Sequence, residues 1–249
     1  MLKTRPTQST PQPTRASASR RLNGRTGQGL AAIAGAATLA AGLTLAAPAR
    51  AEMELNFYTG YQTAPHSRVT GTRGASSGST SFDSLIGWQG KSFSAPPYYG
   101  LRATWWRPSN VGFGLEFSHN KVYAPAAEMP AGFSRLEFTD GLNIITANIS
   151  KRWPGAWGGS ITPYVSGGLG ISMPHVDVTE GTNVTYGYQV TGAAARVTAG
   201  AKYQLNDRWS IFGEYQFTWS QNSADLAGGG NLNTRIFTNA LNIGVGFSF

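Results

Sequence analysis

From residue 209 onward the chain alternates with a period of two. Trp209, Ile211, Tyr215, Phe217 and Trp219 share one parity, while Ser210, Glu214, Gln216, Thr218 and Ser220 share the other. Side chains of a β-strand point alternately to opposite faces, so this segment has one apolar face and one wet face. The final segment repeats the arrangement, with Leu241, Ile243, Val245, Phe247 and Phe249 set against Asn242, Gly244, Gly246 and Ser248. The same alternation predicts eight strands, near residues 54–66, 97–106, 111–123, 135–153, 161–178, 186–205, 209–222 and 233–249. No apolar run of the about 18 residues that a membrane helix needs occurs after residue 52, so any crossing must be made by strands.

An even number of such strands predicts an all-β fold, an eight-stranded antiparallel transmembrane barrel of the outer-membrane type. The connections orient it, because these barrels have short periplasmic turns and long external loops. Segments 107–110, 154–160 and 206–208 read as the periplasmic turns, and 67–96, 124–134, 179–185 and 223–232 as the external loops, three of which are longer and rich in Gly, Ser, Ala and Pro. Within the first long loop, residues 82–93 read as an extension of the hairpin above the membrane. The chain ends on Phe249, with Phe247 two residues before it. That ending resembles the signal by which the barrel assembly machinery recognises its substrates.

Charge changes the picture only at the N-terminus. The formal net charge of +8 would suggest a nucleic-acid partner, but 7 of the 20 Lys and Arg residues and none of the 12 Asp and Glu residues lie at or before Ala51. Residues 52–249 are therefore nearly neutral, and nucleic acid is excluded as a partner. Arg20, Arg21 and Arg25 precede an uncharged Ala/Leu-rich stretch at 30–47 and the sequence Ala49-Arg50-Ala51. This predicts a signal peptide over 1–51, cleaved near Glu52, and a barrel domain over 52–249. The absence of cysteine rules out thiolate chemistry and disulfides.

Parity places Arg102, Glu116, Arg196, Lys202 and Glu214 inside the barrel, with Asn56, Tyr58, Asn148, Gln216 and Asn242. An eight-stranded barrel is just wide enough for its own side chains, so these read as a paired structural network rather than a pore or a catalytic carboxylate pair. The rim carries more chemistry. The chain's three histidines, His66, His119 and His175, fall in the upper halves of rising strands, and Asp140 and Asn143 lie on the strand between His119 and His175. His175 and Asp177 are two residues apart and share a strand face, a geometry suited to a divalent metal or to a His oriented by a carboxylate. His119 has outward parity, toward the headgroups of lipopolysaccharide, and so do His175 and Asp177 unless Pro174 introduces a bulge. The candidate catalytic set is His119, His175, Asp140 and Asp177, and the candidate metal ligands are His66, His119, His175 and Asp177.

The strings MELNFYTGYQTAPHS, PPYYGLRATWW, GFGLEFSHNKVYA, LEFTDGLNII, SMPHVDV, FGEYQFTWSQN and TNALNIGVGFSF run through essentially all of the expected mature chain. Together they resemble the lipid A oxidase family of alphaproteobacterial outer-membrane proteins. The resemblance implies an oxygen-dependent conversion of the proximal glucosamine of lipid A to a 2-aminogluconate unit, with hydrogen peroxide as coproduct and a divalent cation as cofactor. Molecular oxygen as oxidant would favour a redox-active metal, Fe or Mn. No nucleotide-binding motif is present, since Gly167, Gly168 and Gly170 lie within a strand. Two rivals stand beside this reading. A lipid A deacylase would want a nucleophile two residues from its histidine, but Lys121 occupies that place after His119. A non-catalytic structural or adhesive barrel, expected as a monomer, requires no site at all.

Overall fold

The computed structural model describes residues 52–249; the expected signal peptide lies outside the described residues. Twelve strands follow in order: β1 (Glu52–Thr63), β2 (Ser67–Thr72), β3 (Ser81–Ile86), β4 (Tyr99–Trp106), β5 (Val111–Tyr123), β6 (Phe133–Arg152), β7 (Ile161–Ser172), β8 (His175–Glu180), β9 (Asn183–Tyr188), β10 (Gly192–Gln204), β11 (Trp209–Leu226) and β12 (Gly230–Ser248). Eight of them close a ring, in the order β1-β4-β5-β6-β7-β10-β11-β12, and the ring is sealed by antiparallel pairing of β12 with β1 from Glu54↔Ser248 to Thr63↔Asn239. The eight expected strands are all present. The start of β1, the end of β12 and the three short turns share one end.

The other end is more structured than its composition suggests. The expected 67–96 loop contains the β2–β3 hairpin, which continues the sheet beyond β12 through Asn231↔Thr72 to Thr234↔Val69. The expected 82–93 extension stops at Ile86, and the chain then folds back, where Ser92 accepts the Gln62 N–H at 2.8 Å and Gln89 pairs with Tyr123. The expected fifth strand breaks before Pro174, which has no N–H to continue a ladder, and resumes as β8. Strand β9 pairs with β8, and the chain re-enters the ring as β10. The expected loop at 223–232 is mostly strand, because the β11–β12 ladder continues to Leu226↔Gly230.

The lower interior is polar and largely filled by paired side chains, with a cleft at its lower mouth lined by Glu52, Arg152, Thr162 and Lys202. Arg102 lies between the two luminal carboxylates, donating from Nε to Glu116 at 3.0 Å and from Nη2 to Glu214 at 2.8 Å. Arg196 pairs with Glu116 at 3.1 Å, Tyr58 donates to Glu116 at 2.6 Å and Tyr164 donates to Glu214 at 2.5 Å. Lys202 takes Glu54 as its partner, and the same carboxylate accepts the Trp106 indole N–H at 2.8 Å. Glu54 thus supplies the third acid that balances three luminal bases. Gly100 lies against the Tyr58 ring, where an added Cβ would come within 2.2 Å of the hydroxyl oxygen, so a side chain there would displace the ring.

Polarity then inverts along the same strands. On the lower stretch of β11 the outward residues are Trp209, Ile211, Tyr215, Phe217 and Trp219; above it they become Gln221, Ser223 and Asp225, and the inward ones become Ala224 and Leu226. On β12 the change falls between Phe237 and Arg235, on β6 between Ile145 and Asn143, and on β5 between Phe117 and His119. Below this level the surroundings are hydrocarbon, so apolar side chains face out; above it they are water, so apolar side chains turn in. The inward residues above the level, among them Leu136, Phe138, Leu142, Val176, Val178, Leu232 and Ile236, pack with Trp88, Phe82 and Ile86 into a buried apolar plug that caps the polar lumen. The apolar belt on β11 spans 11 residues, Trp209 to Trp219, the length that crosses a bilayer hydrocarbon core. With its girdle of Trp and Tyr, this is a bacterial outer-membrane barrel.

Candidate functional site

The inversion level places His119 and Asn143 as the first outward polar residues above the belt on β5 and β6, where they are register partners. His119 is also paired with Tyr99 of β4, whose ring stacks on the imidazole at 5.3 Å with an interplanar angle of 22°. Both outward residues are buried. Asn143 Nδ2 donates to the Asp140 carbonyl at 3.4 Å, which turns the amide oxygen toward His119, 3.0 Å from Nδ1. Nδ1 is then the donor, and the lone pair of Nε2 is left buried with no protein partner.

Strand β6 carries two extra residues at 139–141. Phe138 and Ile144 are six residues apart, whereas their partners Val176 and Ser172 are four apart. On the opposite side Phe138 and Leu142 are four apart, facing Val122 and Asn120, two apart. A two-residue excess preserves parity, so Leu136, Phe138, Leu142 and Ile144 all remain inside. It also frees Asp140, an inward position by count, to reach outward. Gly141 makes this possible with φ of +97°, and it lies so close to His119 that an added Cβ would be 2.2 Å from Nδ1.

Asp140 Oδ2 comes to 3.8 Å from His175 Nδ1. His175 opens β8, opposite Tyr188, and its ring is held edgewise by Tyr186 at 4.3 Å and Tyr188 at 4.8 Å. Its face is the outward one, since Val176 and Val178 enter the plug. Pro174 therefore does not turn His175 or Asp177 inward. The bulge thus brings three of the four candidate catalytic residues, His119, Asp140 and His175, to one outward patch. Asp177 has a different engagement: Arg135 Nε lies 2.9 Å from its carboxylate. The hydrogen bond that Arg135 donates to Glu137, aided by the charges of Glu137 and Asp177, raises its guanidinium further above its ordinary value. His66 is exposed at the corner between β1 and β2 and packs over Gly87.

Among the described residues, no three His, Asp or Glu side chains converge closely enough to hold a metal ion. Asp140 and His175 together offer two donors. Sequence reasoning did not single out Tyr99, Tyr186, Tyr188 or Gly141, which shape the patch, and only the glycine after Asp140 hinted at the bulge. Lys121, two residues above His119, is fully buried, with Nζ donating to the carbonyls of Ser94 and Pro96 at 2.6 Å each.

No family model matches the chain, and no curated protein matches it. Among solved structures it is similar to Neisserial surface protein A, at 13% identity over 79% of this chain and 97% of that one, with a TM-score of 0.45. It is also similar to the outer membrane protein OprG from Pseudomonas aeruginosa, at 12% identity over 80% of this chain and 96% of that one, TM-score 0.45. A third likeness is to the outer membrane protein AlkL, at 13% identity over 82% of this chain and 92% of that one, TM-score 0.41.

Proposed function

We propose that this outer-membrane barrel is a lipid A oxidase that converts the proximal glucosamine of lipid A to a 2-aminogluconate unit at His119, Asp140 and His175. The observation that supports it most is the β6 bulge, which spends two residues and a left-handed glycine to aim a carboxylate at a histidine on the lipid side of the barrel. Their level, just above the apolar belt, is where the glucosamine disaccharide of lipid A lies.

Oxidation of the cyclic hemiacetal removes the anomeric hydroxyl proton, the hydrogen on C1 and two electrons. Dioxygen takes up both electrons and both protons and leaves as hydrogen peroxide, and water opens the resulting lactone to the acid. In this scheme His175, with the Asp140 carboxylate 3.8 Å from its Nδ1, accepts the hydroxyl proton, and His119 braces the bulge through Asn143, whose amide bonds the Asp140 carbonyl. The divalent metal that the sequence resemblance implies would find two protein donors here, which is not a complete site, and no step is assigned to it.

Lipid A mass spectrometry from cells with and without the protein tests the reading: the oxidase adds one oxygen to the lipid. A second reading, a non-catalytic structural or adhesive barrel, is favoured by the sealed lumen and leaves the mass of lipid A unchanged.

A further inference from the structure

Strand β9 departs from the polarity of its neighbours. Above the inversion level the outward residues of β6, β11 and β12 include Arg135, Glu137, Ser223, Asp225, Asn233 and Arg235. On β9 and just beyond it they are Val184, Tyr186, Tyr188 and Val190, exposed at 59%, 68%, 58% and 66%. Singly exposed apolar residues are normal on a protein surface, but four in succession on one face of one strand form a continuous strip.

Three features say what covers it. The strip starts where the lipid contact ends: Thr191 N–H bonds the Ser172 carbonyl at 3.0 Å, and the outward column of β7 below it is Leu169 and Ile171. A molecule lying against Leu169 and Ile171 by its acyl chains therefore has its headgroup against Val190, Tyr188 and Tyr186. The strip runs about 20 Å along the strand from Val190 to Val184, whereas the headgroup layer of an ordinary bilayer is only about 5–8 Å deep on each side. A phospholipid headgroup ends before the strip does, and an oligosaccharide does not. Edge-to-edge pairing with a second copy is disfavoured because the end of β11 and the turn after it cover the far edge of β9: the Gln189 side chain exchanges hydrogen bonds with the Asp225 backbone at 2.9 Å, and the Thr185 hydroxyl accepts the Ala227 N–H at 2.8 Å.

We infer that the outward face of β9, Val184 with Tyr186, Tyr188 and Val190, is a saccharide-binding strip for the oligosaccharide of a lipopolysaccharide molecule. Tyrosine rings and valine methyls present flat apolar surface to the C–H faces of pyranose rings, while the tyrosine hydroxyls stay free for sugar hydroxyls. Tyr186 and Tyr188 also contact His175, so the sugar held by the strip is continuous with the sugar at the proposed catalytic patch. The inference shares its ligand with the oxidase reading but does not need turnover.

The test is a binding titration on folded barrel in nanodiscs, with rough lipopolysaccharide carrying its core oligosaccharide compared with lipid A alone. Wild type should bind the first severalfold more tightly. Val184→Ser/Tyr186→Ser should bind the two alike, and Val184→Ser alone, four residues along the ladder from the Tyr188↔His175 pair, should lose part of the difference. Heat-modifiable gel mobility verifies that each variant is folded. Equal binding of both ligands by wild type, a preference that survives in the double variant, or a dimer that the double variant dissolves would each overturn the inference. A preference without oxidation of lipid A retains the strip and removes the oxidase reading; oxidation without a preference does the reverse.

Discussion

Asp140 Oδ2 stands 3.8 Å from His175 Nδ1, although Asp140 by count belongs to the inward face of β6 and His175 to the outward face of β8. The contact exists because β6 is two residues longer than both of its neighbours at this point. Everything proposed for the rim depends on that excess.

Gly141→Ala should therefore remove the site without touching either histidine. A left-handed alanine costs about 1 kcal/mol, and the clash with the His119 ring must be relieved by moving the bulge. The expected result is loss of lipid A modification with unchanged heat-modifiable mobility. Full activity in this variant would show that the bulge does not position the chemistry.

The luminal network should behave in the opposite way. Glu214→Gln leaves Arg102 with a single charged partner and deprives Tyr164 of its carboxylate acceptor. Breaking a buried ion pair costs about 3–5 kcal/mol, so the midpoint of urea unfolding in lipid should fall while activity per folded molecule stays the same. Activity lost at unchanged stability would move the site into the lumen.

The strands and the lower interior were legible because period two is unambiguous when lipid lies on one side and paired charge on the other. Arg102, Glu116, Arg196, Lys202 and Glu214 are all buried inside as parity requires. The plug was not legible, because apolar-out was carried along the whole strand. Above the level of His119 the solvent outside is water, and Leu232 and Leu226 look like loop residues only until their inward parity is counted. His119, Asp140 and His175 were each singled out, but no periodicity announces a bulge, whose length is set by the two neighbouring ladders. His66 was grouped with them by height alone, which says nothing about position around the ring.

Phe138→Ala tests the plug. Its ring is 2% exposed and stacks with Trp88, and truncation of such a phenylalanine costs about 3–5 kcal/mol. The external hairpins should become sensitive to protease while the barrel below them stays resistant. Uniform resistance would mean that the plug does not hold the hairpins.

Acid should loosen the same hairpins at their tips. Glu180 accepts the Gly74 N–H at 3.0 Å, and Asn183 beside it bonds Ser76 at 2.8 Å, tying β8–β9 to the β2–β3 connection. Burial raises the Glu180 carboxyl, but hydrogen bonds from Ser77, Gly74 and Asn183 outweigh it and hold the group below its ordinary value. A depressed folded value stabilises the clasp fully above the unfolded carboxylate range, and that contribution is lost as pH falls through the folded value. The protection of the Gly74 amide, taken relative to its intrinsic exchange rate at each pH, should fall on acidification in wild type, whereas in Glu180→Gln it should already be low at neutral pH. Identical pH profiles for the two proteins would remove Glu180 from the clasp.

The most direct measurement is the mass of lipid A from cells lacking the protein, complemented in turn with wild type, His175→Ala, Asp140→Asn and His119→Ala. Wild type is expected to add one oxygen to the lipid, and all three variants to leave it unmodified while reaching the outer membrane as folded, heat-modifiable barrels. Lipid A of unchanged mass with wild type, or full modification by all three variants, would contradict the assignment of this rim to lipid A oxidation.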